Sequence, residues 1–184
     1  MTLIDSPTIP DTDAAERTRR LDEAGAAWSG RIAAARGAAH LTYRVDGVGE
    51  GAVASRITAG HHTFVVDEPA ALAGDDAGAS PVEYALGAFI SCQIVVFRLY
   101  ANALGIPFDR IRVAAEGDLD AARLFAIDET VRAGFTDVRL VVELEGPESQ
   151  ERYEELRAAV DEHCPVLDLF ANATPVTTRV RKVG

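Results

Sequence analysis

The sequence predicts an α+β fold, with mainly antiparallel sheets around a buried central helix. Stretches rich in β-branched and aromatic residues come in groups, helical segments separate the groups, and one such segment holds the longest apolar run, residues 80 to 100. The strict βαβ alternation of a parallel sheet is absent. With 48% of its 184 residues apolar, the chain can bury one sizeable core.

The elements follow in order. Residues 1 to 10 carry two prolines and no periodicity, and read as a loose arm. From residue 11 to about 36 the composition turns to Ala, Arg and Glu, with Leu21, Trp28 and Ile32 at roughly helical spacing and Gly37 as a stop, so an amphipathic helix is expected. Arm and helix, residues 1–38, are expected to stand apart from a domain of residues 39–184. "HLTYRVDG", "GAVASRITAG" and "HHTFVVDEP" predict a small antiparallel sheet broken at Asp-Gly and Ala-Gly.

A glycine-rich acidic loop, "EPAALAGDDAGAS", then leads to the apolar helix. Ser80 suits the N-cap, Pro81 the first helical position and Glu83 the third, where its carboxylate can reach back as a capping box. The apolar run from 84 to 104 approaches membrane-spanning length, but Arg98 and Asn102 interrupt it, which favours a helix buried in the protein. "RIRVAAEGDL" and "TDVRLVVELEG" alternate as strands. A polar helix from 148 to about 163, a helical piece "PVLDLFANA" and a last strand "TPVTTRVRKV" complete the order.

A formal charge of -11 makes the surface repel phosphate backbones and anionic lipid, so nucleic acid and membrane are not expected partners. The basic "TRVRKVG" is short and alternates like a strand edge. "MTLIDSPTIPDTDAAERTRR" has acids where a signal peptide has basic residues, and no apolar core follows, so a cytoplasmic protein is expected. Two cysteines in that setting suggest redox chemistry before a structural disulfide. Cys92, Cys164, His61 and His62 lack the paired spacing of a zinc site, and the acids of "GDDAGAS" would repel phosphate, so neither a metal nor a nucleotide cofactor is expected.

The two thiols have different settings. Cys92 shares a helical face with Ala85, Ala88, Phe89, Val95 and Val96, where burial raises a thiol pKa; it is a small core residue unless a cation stabilises the thiolate. Glu83, nine residues earlier, projects roughly 180° away and about 13 Å along the axis, so it cannot serve Cys92 directly. Cys164 precedes Pro165 at an expected helix start, where amide dipoles favour a thiolate. His163 is adjacent in sequence, but neighbouring side chains diverge.

"DEPAALAGDDAGASPVEYALGAFISC" and "HCPVLDLF" together resemble the two cysteine motifs of the OsmC/Ohr family, over a region from about His40 to the C-terminus. The resemblance implies an OsmC-like fold, an intertwined homodimer and reduction of organic hydroperoxides. Cys92 would attack the O–O bond and become a sulfenic acid, Cys164 would condense with it to a disulfide, and an external dithiol such as a lipoylated protein would reduce that disulfide, with no bound cofactor. Phe89, Val95, Val96 and Phe97, on the helix that carries the thiol, would suit a hydrophobic peroxide.

The family's glutamate directly after the helix-start proline is Val82 here, with Glu83 one residue later and about 100° further round the helix. The Gly-Gly-Arg turn that supplies the family's arginine is absent. Arg56 is the first substitute as activating cation, held by Glu83, and Arg44 the second. The competing function is a noncatalytic OsmC-like protein that binds a small hydrophobic ligand or senses redox state.

Overall fold

The computed structural model describes residues 9–184, so most of the expected N-terminal arm lies outside the described residues, and these divide into two compact units, up to residue 42 and from 43 to 184. In the first, α1 (Ala14–Ala34) starts where the Asp13 carboxylate accepts the Glu16 N–H at 2.8 Å. Arg19 and Arg20 pair with Glu16 and Glu23 at helical spacing, and the Arg31 guanidinium lies 4.7 Å from the Trp28 ring centroid. No α1 residue is buried. The helix ends before Arg36, because Ala35 is extended, and Gly37 falls in a short 3₁₀ turn.

The second unit opens with an antiparallel meander: β1 (Val45–Glu50), β2 (Ala54–Ala59) and β3 (His62–Val66). Gly51 and Gly60 make its turns at φ of 56° and 63°, which a side chain would strain. Residues 40–44, expected to open the first strand, lie outside the ladder. A loop then delivers the chain to α2 (Pro81–Leu104).

The capping box forms as read: the Glu83 carboxylate accepts the Ser80 N–H at 2.8 Å and the Ser80 hydroxyl at 2.6 Å, and Ser80 Oγ accepts the Glu83 N–H at 3.4 Å. Gly105, at φ 62°, ends the helix. β4 (Arg110–Asp118) and β5 (Asp137–Glu145) pair antiparallel from Arg110↔Glu145 to Asp118↔Asp137. Their strict alternation of exposed and half-buried residues turns Ile111, Leu140 and Val142 towards α2. α3 (Gln150–His163) and α4 (Pro165–Ala171) close the same core, in which Phe97, Ile106, Leu156 and Val160 are almost fully buried.

α2 is the expected central core helix, and within the chain it buries one face: Tyr84, Ala88, Ser91, Val95 and Leu99 form an exposed stripe at helical spacing on the other, with Val95 53% exposed. Its own chain has too few elements to cover both faces. One expectation is corrected: the last strand forms no ladder among the described residues, residues 173–184 carry no regular structure, and Val176, Val180 and Val183 are exposed. Alternation gives a segment the pattern of a strand without supplying the neighbour that makes it one.

Candidate functional site: a thiol pair at the start of α4

The loop before α2 is built on Asp67, which is 2% exposed. Its Oδ2 accepts the N–H groups of Asp75 at 3.0 Å and Ala77 at 3.1 Å, and these backbone donors hold the carboxyl below the usual carboxylate range. Gly74 permits the fold-back, since a Cβ there would fall 1.7 Å from the Glu68 carbonyl oxygen. The loop thereby places Ser80, and with it the start of the helix that carries Cys92.

α3 stops at His163, and Cys164, extended at φ −82° and ψ 109°, turns the chain so that α4 begins at Pro165. That corner brings the 2%-exposed Cys164 against half-buried Cys92, close enough for the thiols to interact directly; both are free. The sequence predicts that the amides at the start of α4 face Cys164. The structure directs the Val166 N–H to Cys92 instead. Burial pushes the Cys92 thiol above its ordinary value, the Val166 N–H opposes that rise, and contact with Cys164 adds to it.

The other candidates lie elsewhere. The Arg56 guanidinium spans both Glu50 carboxylate oxygens at 2.7 and 2.8 Å, across the exposed β1–β2 ladder. The Glu83 carboxylate serves Ser80 rather than Arg56, and its pKa is lowered by that hydroxyl and by the Ser80 N–H. Neither side chain is among the groups that shift Cys92. The alternative cation, Arg44, immediately precedes β1. His163 donates from Nδ1 to the Ala159 carbonyl at 2.7 Å and packs its ring 4.6 Å from that of Tyr100. Among the described residues, no group of three or more His, Cys, Asp and Glu could hold a metal ion.

Beside the thiols lies a cavity of about 610 Å³, walled by α2, β5, α4 and the segment leading into β5. Of the four residues expected to suit an apolar ligand, only Phe89 lines it; Val96 and Phe97 are core and Val95 faces outward. Gln93 and Arg132, which no sequence motif singles out, also line it. An amide inside the longest apolar run was the available signal for Gln93.

The family model described as OsmC-like protein matches residues 74–179, which include both thiols and the loop, helix and hairpin that place them. No curated protein matches the chain. Among solved structures, an OsmC-like protein from Mycoplasma pneumoniae is similar over 71% of this chain and 87% of its own, at 18% identity and TM-score 0.62. An organic hydroperoxide resistance protein OsmC from Legionella pneumophila is similar over 72% and 91%, at 22% identity and TM-score 0.57. The organic hydroperoxide resistance protein OhrB of Bacillus subtilis is similar over 71% and 91%, at 24% identity and TM-score 0.51. These likenesses carry the fold, and the family match, which spans more than half of the chain, places this protein in the OsmC-like family.

Proposed function

We propose that the protein is a thiol-dependent peroxidase that reduces organic hydroperoxides through Cys92 and Cys164. The contact between the two thiols is the observation that carries this reading. The Cys92 thiolate attacks the terminal oxygen of R–O–OH, the O–O bond breaks, and the alkoxide leaves as the alcohol after taking a proton, with Cys92 left as a sulfenic acid. Cys164 then attacks the sulfenic sulfur, water leaves and a disulfide forms, which an external dithiol such as a lipoylated protein reduces by exchange. The chain itself supplies the Val166 N–H as a donor to the sulfur that becomes negative. For Arg56 to act as the activating cation, it must first release Glu50.

The working form in this reading is a homodimer in the cytoplasm. The uncovered stripe on α2 and the unpaired, alternating segment 173–184 support a second copy as the covering partner.

One equivalent of cumene hydroperoxide added to the reduced protein, followed by intact mass and free-thiol count, tests the chemistry. A Cys92–Cys164 disulfide is expected in the wild type, and a trapped sulfenic acid on Cys92 in Cys164→Ser. Two unreacted thiols would overturn it. The noncatalytic reading draws on the raised Cys92 pKa and the engaged Arg56, and that result would favour it.

A further inference from the structure

We propose that a second cavity, between β2, the loop after β3 and the segment around Leu124, binds a small organic ammonium ion, with its charged end at Asp67 and its apolar body against Leu72, Leu124 and Phe125. The cavity has a volume of about 480 Å³, in the range of sites that enclose small organic ligands, and neither cysteine lines it.

Asp67 decides the charge of the ligand. It lines the cavity, is 2% exposed, and is surrounded by backbone N–H groups that hold its carboxyl below the usual carboxylate range. The N–H groups of Asp75 and Ala77 go to Oδ2. The other oxygen, Oδ1, is buried and has no hydrogen-bond partner among the described residues. A buried carboxylate oxygen without a donor is costly, and an occupant that brings a positively charged N–H supplies donor and counter-charge together.

The surroundings do not provide that charge. Glu68 also lines the cavity and makes no ion pair among the described residues, and no Arg, Lys or His lines it. The arginines adjacent in sequence to lining residues, Arg56 beside Ser55 and Arg123 beside Leu124, are held by Glu50 at 2.7 Å and by Glu129 at 3.0 Å. Asp75 and Asp76, in the same loop, add negative charge. The rest of the wall is largely apolar, with Val53, Leu124 and Phe125 exposed. Two carboxylates on an apolar wall suit an organic cation better than a bare divalent ion, which takes six or more oxygens.

Titration of the reduced full chain with 4-phenylbutylamine, protonated at neutral pH, and with 4-phenylbutanol tests the assignment, read by calorimetry and by the amide NMR shifts of Asp75 and Ala77. One ammonium ion is expected per chain, bound at least about tenfold more tightly than the alcohol, and these two amides should move as it binds. Glu68→Gln, at a half-buried side chain with no ion pair to lose, is expected to reduce that preference at an unchanged urea midpoint. Leu124→Ser, at an exposed residue, is expected to weaken ammonium and alcohol alike. The chain's charge of -11 by itself would draw several amines to scattered carboxylates and leave the Asp75 and Ala77 amides unmoved, an outcome that would overturn the site. Equal binding of the alcohol, or a Glu68→Gln variant with undiminished preference, would overturn it as well. With no peroxide present, these results are independent of whether Cys92 turns over.

Discussion

The Cys92 thiol, midway along α2, meets the Cys164 thiol at the corner between α3 and α4, and both sulfurs are free. Residues 72 positions apart in sequence thus face each other at the core, Cys164 buried and Cys92 half-buried. Bridging them would close a loop of roughly 70 residues, which the chain-entropy model equates with about 4 kcal/mol of stability. The oxidised protein is expected to unfold at a clearly higher urea concentration than the reduced one. Equal midpoints would mean that the sulfurs cannot join without displacing α4.

The acidity of Cys92 follows from its surroundings, with burial as the largest influence and Cys164 adding to it. A raised pKa leaves little thiolate at neutral pH, so alkylation of Cys92 by iodoacetamide is expected to climb about tenfold per pH unit through 7 and 8, levelling only above the ordinary thiol value of about 8.5. Cys164→Ala should move that midpoint down without returning it to the ordinary value, because burial remains. The folded state holds this proton more tightly than the unfolded chain, so its contribution to stability is complete below the ordinary value and is lost as pH rises through the raised one. A wild-type midpoint below neutrality would mean that a cation reaches the sulfur.

Glu83 titrates in the opposite direction. Its folded pKa is depressed by the Ser80 hydroxyl and N–H, so the stability it contributes is present above the ordinary glutamate value of about 4.3 and is lost as pH falls through the depressed value. Wild type is expected to resist urea better than Glu83→Gln at pH 7, and the difference should close below roughly pH 4. A gap that persists at pH 3 would show that the carboxylate acts by shape or polarity rather than charge.

Arg56 provides the sharpest test of how far the family pattern transfers. It is half exposed and bound to Glu50 through two hydrogen bonds, the setting of a surface ion pair. Exposed pairs of this kind contribute little, so Arg56→Ala is expected to change the rate of Cys92 oxidation by less than about threefold. A loss of two orders of magnitude would show that the guanidinium leaves Glu50 and reaches the thiol during turnover.

Local chemistry was legible in the sequence wherever one short segment determined the outcome. Ser80, Pro81 and Glu83 make the cap that their types and spacing require, and the alternating stretches around Val113 and Val142 pair as strands. What depended on distant segments was not legible. The approach of Cys92 to Cys164 is set by a single extended residue between α3 and α4, and the destination of the Val166 N–H by the same corner. Arg56 was assigned to the thiol by analogy, whereas the antiparallel register of β1 and β2 brings it to Glu50. Gln93 was hidden by its apolar neighbours, since periodicity records which face is apolar and is silent on what one amide faces.

The C-terminal segment and the outer stripe of α2 are both left uncovered in the single chain. Residues 173–184 alternate as a strand would, yet lack a ladder, and the stripe from Tyr84 to Leu99 leaves an apolar helix face in water. A chain that buries each of these features against its own copy removes both liabilities at once. Light scattering of the wild type is expected to give twice the chain mass at micromolar concentration. A stop after Asn172 should weaken that association, and Val95→Glu, which places a charge in the middle of the stripe, should weaken it more. Each substituted residue is exposed in the single chain, so a monomer produced by either variant should keep its helical circular dichroism. A wild type that sediments as a monomer would mean that the stripe is covered by something other than a second copy.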